Sequence, residues 1–288
     1  MERHTRSYLQ LMKPGITLSN TISAVAGFFL ASSMFGFSAI TGIGVVVGVA
    51  FVIASACVVN NVLDRDIDTR MKRTKGREIA AGKISIPFAL VYAFILGVIG
   101  FGSLALYTNH LTVLLGVIAV IWYVVIYGIA KRTTPLSTII GGVAGALPPM
   151  AGYVAVSGTI DATAWVLFGL LMVWQLPHFY AISVFRHDDY KQAGLPVWSV
   201  RYGIDTTKAQ ILFWIIIFAL LTPLLTLLQA TGVTYLVIMT IVSAYWVVVG
   251  IVQYKKLDSV AWSRKMFGIS LLEMLVMSGS IAAGGYLP

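Results

Sequence analysis

Charged side chains are scarce in this 288-residue chain, at 11% of residues, whereas soluble domains carry about a quarter. They are clustered, which leaves four stretches of 46 to 53 residues with at most one charge and a final stretch of 23 residues with one. Because about 20 apolar residues span a membrane, each long stretch holds two helices and the last holds one. The scarcity of charge excludes a soluble enzyme and predicts an all-α polytopic membrane protein, with nine transmembrane helices near 16–36, 40–63, 87–107, 111–130, 137–157, 162–185, 208–229, 233–254 and 267–286.

Cysteine is nearly absent as well. The single cysteine, Cys57, lies inside the predicted second span, so no disulfide can form within the chain. This excludes a disulfide-stapled secreted scaffold. A lone cysteine in a span is typical of a small buried apolar residue.

Basic residues are missing from every loop on one predicted side of the membrane. All 20 Lys and Arg residues lie in segments 1–15, 64–85, 131–136, 186–208 and 255–265. Since cytoplasmic loops retain Lys and Arg, this asymmetry predicts a cytoplasmic N-terminus and a C-terminus on the outer side. The net charge of +9 then belongs to one membrane face, and binding to nucleic acid is not expected. We interpret 1–288 as a single domain whose long cytoplasmic loops are 64–85 and 186–208.

Oxygen-bearing side chains close the second span. Asn60, Asp64 and Asp68 share one face if the helix continues, because they are four residues apart. Two carboxylates and an amide suit Mg²⁺, which binds few protein oxygens together with substrate phosphates. Donors suited to phosphate follow directly: Arg70, Lys72, Arg73, Lys75 and Arg77. The pattern indicates a site for a metal–diphosphate head whose tail lies in the membrane; the alternative is a solvated helix end.

This segment resembles a known family. Asn60-x-x-x-Asp64-x-x-x-Asp68, followed by Met71-x-Arg73-Thr74-x-x-Arg77, resembles the first aspartate-rich motif of the UbiA-like intramembrane prenyltransferases. Three later segments resemble the branch of that family that farnesylates protohaem IX: Lys131 to Thr133, Gly141 to Gly152 and Trp174 to Pro196. The resemblance covers essentially the whole chain.

The resemblance implies transfer of the farnesyl group of farnesyl diphosphate to a vinyl group of haem B, with addition of water, to give haem O and diphosphate. It implies Mg²⁺ as the cofactor and haem B as a substrate. The implied catalytic and metal-binding residues are Asn60, Asp64 and Asp68, and the implied diphosphate-binding residues are Lys72, Arg73 and Arg77. The expected location is a bacterial inner membrane, with the active site facing the cytoplasm and a terminal oxidase or haem A-forming enzyme receiving the product.

The loop after the sixth span departs from the family pattern. Many members have a second Asp-x-x-x-Asp there, whereas this chain has adjacent Asp188 and Asp189, which cannot share a helix face. We expect Asp189 to be the further metal ligand, because it occupies the position of the Asp-Tyr pair in the haem branch. The alternative is a pair of loop acids beside Arg186 and Lys191.

Histidines near that loop are candidates for binding haem. His178 follows Pro177 in the sixth span, and imidazole is a common iron ligand. The alternatives are a hydrogen-bonded structural histidine at this position and iron ligation by His187. The cations at the level expected for haem propionates are Lys131, Arg132, Arg186 and Lys191.

Two features of the spans and two rival functions complete the interpretation. The pair Pro148–Pro149 is expected to interrupt the fifth span with a kink or a break, and Glu273 in the ninth span has no assigned role. One rival is a sister prenyltransferase acting on an aromatic or quinone precursor, which the segment from Trp174 to Pro196 disfavours. The other is a transporter, whose site would be expected near the membrane midplane, where this chain has few ionisable groups.

Overall fold

The structure is a computed structural model that describes residues 2–288, with side chains from residue 7 onward, and every regular element in that range is a helix. Nine helical segments of the described range are long and apolar enough to cross a membrane, which confirms the predicted class and number of spans. These segments are α2 (Pro14–Phe35), α3 (Ala39–Leu63), α5 (Ile86–Tyr107), α6 and α7 (His110–Ile121 and Tyr127–Thr133, joined by a π-helical turn), α8 (Ser137–Ser157), α9 (Ala162–Phe185), α12 and α13 (Ile204–Leu221 and Leu224–Leu227), α14 (Val233–Gln253) and α15 (Ser259–Gly284). Four shorter helices are α1 (Glu2–Leu11), α4 (Arg65–Asp68), α10 (His187–Gln192) and α11 (Trp198–Tyr202).

Polar residues in the short connections start several of the spans. Ser38, Asn109 and Asp161 each accept a hydrogen bond from the backbone N–H three residues later, at distances of 3.0 to 3.3 Å. These N-caps satisfy backbone donors that have no partner within the helix. Asn109 also donates to the carbonyl of Val154 at 2.7 Å, which ties the start of α6 to the end of α8.

The centre of the bundle is built on close contact between α2 and α8. A Cβ atom at Gly27 would overlap the carbonyl oxygen of Pro149, and one at Gly152 would overlap the carbonyl oxygen of Ala24. Small residues allow such contact between backbones, which supplies dispersion energy where lipid weakens the hydrophobic effect.

A break in the fifth span is ruled out, because α8 runs unbroken through Pro148 and Pro149. A proline inside a helix removes the hydrogen bond of its own nitrogen and crowds the carbonyl four residues earlier. Here the proline pair lies in the turn that packs closely against α2. The glycines earlier in α8 make room for side chains: Gly145 lies against Gln175, whose Nε2 donates to the carbonyl of Gly142 at 2.7 Å.

The last span starts earlier than the pattern of charges predicts. α15 begins at Ser259 rather than near 267, because Asp258 caps it by accepting hydrogen bonds from the N–H groups of Val260 and Ala261. Likewise, α12 begins at Ile204 rather than near 208. Apolar runs mark only the part of a helix that lies in lipid, and both helices continue beyond it into charged sequence.

One end of the bundle carries the long loops, and we call it the basic end. There the loop after α3 meets the loop after α9, since Ile67 and Met71 pack against Ala193, Leu195 and Val197. This apolar contact brings together two acidic segments that are more than 100 residues apart in the sequence.

Candidate active site at the basic end

Asn60, Asp64 and Asp68 lie where α3 passes into the first loop. The helix ends at Leu63, Asp64 takes a turn conformation (φ −91°, ψ 1°) and Asp68 ends the single turn of α4. Backbone hydrogen bonds from Asp64 to Asn60 (2.9 Å) and from Asp68 to Asp64 (2.8 Å) keep the four-residue repeat despite this break. The three residues are only 3%, 8% and 3% exposed, so they do not form a solvated helix end.

Each of these side chains contacts a cation from a different part of the chain. Lys13 donates to Oδ1 of Asn60 at 2.6 Å, Lys131 forms an ion pair with Asp64, and Arg77 donates to both oxygens of Asp68 at 2.9 and 3.0 Å. The amide Nδ2 of Asn60 is buried and has no hydrogen-bond partner among the described residues. The three oxygen-bearing groups are therefore surrounded by positive charge.

Lys13 is a site residue that the sequence reasoning misses. It precedes α2 with φ of 50° and ψ of 67°, a left-handed conformation that a lysine rarely adopts. Burial lowers the pKa of its ammonium group to about 8. The only signal in the sequence is its position, as the last cation before 50 residues without charge.

Tyr123 is the second residue missed, and a local distortion brings it to the site. Residues Trp122–Ile126 form a π-helical turn in the middle of the fourth span. From this turn the hydroxyl of Tyr123 donates to Oδ1 of Asn60 at 3.3 Å, and its ring stacks on Tyr127 with centroids 5.7 Å apart. π-Helical turns are frequent at functional sites, and the sequence carries no pattern that predicts this one.

The second loop contributes a buried carboxylate. Asp189 in α10 is buried, whereas the neighbouring Asp188 is exposed. The carboxylate of Asp189 forms no hydrogen bond or ion pair with the part of the chain whose side chains the structure describes. Its environment therefore differs from that of Asp64 and Asp68, which both face a cation.

The other cations predicted at the site differ in their contacts and in their exposure. Arg132 donates to both oxygens of Asp66 at 2.8 Å, and these hydrogen bonds lower the pKa of Asp66 to about 2. Arg132 also donates to the carbonyl of Leu63 at 2.8 Å. Lys131, expected near haem propionates, instead contacts Asp64. Of the cations predicted to bind diphosphate or haem propionates, four are exposed and form no ion pair with any described side chain: Lys72, Arg73, Arg186 and Lys191.

His178 is half-buried in α9 and is held between aromatic rings. Trp174 stacks on it with centroids 5.0 Å apart, and Phe267 of α15 lies at 4.8 Å. Its Nδ1 contacts the hydroxyl of Ser270 at 2.7 Å, and that hydroxyl donates to the carbonyl of Phe267 at 2.6 Å. Because the Ser270 proton is already donated, we assign the Nδ1–H tautomer, which leaves the lone pair on Nε2.

Two other groups lie apart from this arrangement. His187 is half-buried in the second loop, and its Nδ1 has no partner among the side chains described. Glu273 is fully buried between α14 and α15, where Oε1 accepts a hydrogen bond from Ser243 at 2.8 Å. The contact with Ser243 makes Glu273 an interhelical polar link.

A groove of about 290 Å³ runs between the end of α3 and the fourth span. Its walls include Leu63, Val125 and Ile129, and Asp64 and Arg132 also line it. Leu63, Val125 and Ile129 are exposed on a surface that would face lipid. The carboxylate of Asp64 therefore lies beside that surface.

The donor set fits Mg²⁺ bound together with a phosphate-bearing molecule. Among the residues that the structure describes, no three His, Cys, Asp or Glu side chains form a metal-binding group by themselves. Two buried carboxylates and one amide oxygen are few ligands, as expected for an ion that keeps water and takes oxygens from phosphate. The surrounding lysines and arginine would bind the remaining phosphate oxygens.

Comparisons with known proteins agree with this chemistry. The chain matches the UbiA prenyltransferase family over residues 20–272. Its relatives include the protoheme IX farnesyltransferases of Blochmanniella floridana, 43% identical over 92% of both chains, and of Citrobacter koseri, 42% identical over 98% of this chain and 96% of the relative.

Two solved structures share the fold. A digeranylgeranylglyceryl phosphate synthase has a TM-score of 0.79 at 20% identity over 99% of both chains. A UbiA homolog from Archaeoglobus fulgidus, bound to GPP and Mg²⁺, has a TM-score of 0.66 at 18% identity over 96% of this chain and 99% of the other. With the family match and relatives above 40% identity over nearly the whole chain, the chain belongs to the UbiA prenyltransferase family.

Proposed function

We propose that this protein transfers the farnesyl group of farnesyl diphosphate to a vinyl group of haem B, with addition of water, to give haem O and diphosphate. The observation that carries the proposal is the identity of 42 to 43% to protoheme IX farnesyltransferases over more than nine-tenths of the chain. The buried acidic and basic groups at the basic end support it, because this chemistry needs a metal and donors for diphosphate. The whole chain acts as one catalytic domain.

Asn60, Asp64 and Asp68 hold the metal, with Asp189 from the second loop as the further ligand. Mg²⁺, when bound, supplies Lewis acidity to the departing diphosphate. The carboxylates of Asp64 and Asp68 are suited to this task because they are buried and already neutralised by cations that a diphosphate can engage. Tyr123 orients the amide of Asn60 through its hydroxyl.

Lys13, Lys131 and Arg77 bind the diphosphate oxygens, on which negative charge develops as the allylic C–O bond breaks. Donors placed where charge develops make the largest electrostatic contribution to such a reaction. Lys72 and Arg73, exposed on the loop that also carries Arg77, attract the anionic diphosphate head at the membrane surface. The apolar bundle excludes water from the allylic cation until the vinyl carbon attacks it.

His178 binds the haem iron through Nε2. The hydrogen bond from Nδ1 to Ser270 fixes the ring, as is usual for histidines that bind metals. Arg186 and Lys191 are the exposed cations closest in sequence to the second loop's acids, and they bind the propionates together with Arg132. His187 is the competing iron ligand, and the haem spectra of His178→Ala and His187→Ala distinguish the two.

The protein lies in a bacterial inner membrane with the basic end in the cytoplasm. The support is the confinement of all Lys and Arg residues to segments on one predicted side. Farnesyl diphosphate is amphiphilic, and its chain reaches the site from the bilayer. The farnesylated product passes to a terminal oxidase or a haem A-forming enzyme.

Mass spectrometry tests the reaction directly. Purified protein in detergent receives haem B, farnesyl diphosphate and Mg²⁺, and the porphyrins are then weighed. We expect a product heavier than haem B by one farnesyl group and one hydroxyl group, absent with a chelator and strongly reduced in Asp64→Asn. Prenylation of an aromatic acceptor without any haem product would establish the sister activity instead, and no prenyl transfer to either acceptor would contradict the proposal.

A further inference from the structure

The three proposed metal ligands are occupied by the protein's own cations. Lys13 approaches Asn60 at 2.6 Å, Lys131 pairs with Asp64, and Arg77 pairs with Asp68 at 2.9 Å. The cations come from the segment before α2, the end of α7 and the first loop, so helical spacing does not force them together. The arrangement is therefore a property of the assembled site.

The pair of Lys131 and Asp64 is the most enclosed. The two side chains are 9% and 11% exposed, whereas Arg77 is 31% exposed. Moving Lys131 away without a new partner would leave a buried ammonium group unpaired, which is strongly unfavourable. Asp64 is consequently not a free ligand for a metal ion that arrives alone.

At this site, the binding of a metal ion and the binding of diphosphate each reduce the electrostatic penalty of the other. A metal ion alone would place its charge beside cations that have lost their carboxylate partners. A diphosphate alone would compete with Asp64 and Asp68 for those same cations. Together they give every group a partner of opposite charge, because the carboxylates turn to the metal and the cations turn to the phosphate oxygens.

We infer that Lys13, Lys131 and Arg77 are shared between the acidic ligands and the substrate, so that the site binds the metal–diphosphate complex as a unit and binds the metal alone weakly. The inference rests on the proposed function and deepens it by stating which species the site recognises. Lys131 is the positioning residue on which the exchange depends most.

The thermodynamic linkage between metal binding and diphosphate binding makes the inference measurable. Diphosphate must raise the affinity for the metal by the same factor as the metal raises the affinity for diphosphate. We expect this factor to be at least about 10 in the unaltered protein. Removing the Lys131 ammonium takes away the nearest cation of Asp64 and leaves Arg132 at 3.8 Å, so Lys131→Met should bind metal alone more tightly and lose most of the linkage.

The experiment uses the full-length protein in detergent with Mn²⁺ as the metal and inorganic diphosphate as the anion, so that no turnover occurs. Electron paramagnetic resonance measures Mn²⁺ binding without diphosphate, and equilibrium dialysis of labelled diphosphate with and without Mn²⁺ measures the linkage. Lys131→Met is compared with Arg77→Gln, which frees Asp68 at a more exposed position. Lys83→Met is the matched control, because it removes an exposed cation of the first loop whose described contacts are Glu78 and the carbonyl of Gly76, outside the proposed site.

The expected result is weak Mn²⁺ binding alone, at least tenfold tighter binding with diphosphate, and a gain of about threefold or more in affinity for Mn²⁺ alone in Lys131→Met. Arg77→Gln should show a smaller gain and Lys83→Met none. A protein damaged by substitution would lose metal affinity, so a gain identifies the exchange. Equal Mn²⁺ affinity with and without diphosphate, or no gain in either Lys131→Met or Arg77→Gln, would overturn the inference while leaving farnesyl transfer to be decided by the mass-spectrometric assay.

Discussion

The acidic residues that follow α3 and those that follow α9 are neutralised differently. Asp64 and Asp68 are buried against Lys131 and Arg77, so the first loop is assembled around opposite charges before any ligand arrives. Asp189 is buried and has no cationic partner among the side chains that the structure describes. Burying a carboxylate without a partner is unfavourable, so a bound cation would stabilise Asp189 more than it would stabilise Asp64 or Asp68.

α3 and α9 also differ in the polar side chains that they carry before their loops begin. α3 brings Asn60, which contacts a lysine and a tyrosine hydroxyl, whereas α9 brings His178 inside a cage of aromatic rings. We therefore propose that α3 serves the metal and diphosphate and that α9 itself serves the haem, while Asp189, in the loop after α9, joins the metal site. Substitutions within α3 and within α9 should then affect different substrates.

The largest effect is expected on the α3 side. Asp68→Asn removes a buried charge that faces Arg77, and kcat/KM for farnesyl diphosphate should fall by at least about 100-fold. The matched control is Asp66→Asn, two residues away, whose side chain is 48% exposed and pairs with Arg132. It should change kcat/KM by no more than about threefold. Similar losses in both variants, measured in the haem product assay, would contradict the assignment.

A smaller effect on a different substrate is expected for His178→Ala. The dissociation constant for haem B should rise by roughly 10-fold or more, and the Soret band of the bound haem should shift because the axial ligand is lost. Binding of labelled inorganic diphosphate with Mn²⁺ should stay unchanged. If the Soret band is instead unaffected by His178→Ala and shifted by His187→Ala, the iron ligand lies in the loop.

The buried acid of the second loop gives a third prediction. Asp189→Asn should weaken the apparent affinity for Mg²⁺ by about 10-fold, because a carboxylate ligand is lost. Asp188→Asn, at the exposed neighbour, should leave the Mg²⁺ dependence of the rate within about twofold. Equal Mg²⁺ requirements in both variants would show that Asp189 does not bind the metal.

Glu273 offers a third kind of buried acid, whose partner is a hydroxyl rather than a cation. Ser243→Ala removes its hydrogen bond, and the free energy of unfolding should fall by about 1 kcal/mol. Ser278→Ala is the control, since that buried hydroxyl has no partner in the described structure and its loss should cost little. Both are measured by reversible unfolding in mixed detergent; an equal loss in both variants would mean that the contact with Glu273 does not stabilise the bundle.

The sequence predicts the spans well because lipid imposes a simple condition on them, namely long stretches without charge. It does not predict where a helix continues outside lipid, which is why Asp258 and the early start of α15 are missed. It also does not predict that α8 continues through Pro148 and Pro149, since this depends on contact with α2.

The sequence predicts only part of the site, again because contacts between helices are not visible in it. The spacing of Asn60, Asp64 and Asp68 is local and therefore visible in the sequence. The contacts of Lys13 and Tyr123 with Asn60 join positions 47 and 63 residues apart, and the second depends on a π-helical turn. Such partners become visible only when the helices are packed.

The most direct test of the whole account is a crystal structure with Mn²⁺ and a farnesyl thiodiphosphate that does not react. Anomalous scattering would locate the metal without reference to the protein density. We predict Mn²⁺ bound to Asn60, Asp64 and Asp68, with Lys131 turned from Asp64 to the phosphate oxygens. A metal bound elsewhere, or an ion pair between Lys131 and Asp64 that persists beside the bound substrate, would contradict the account.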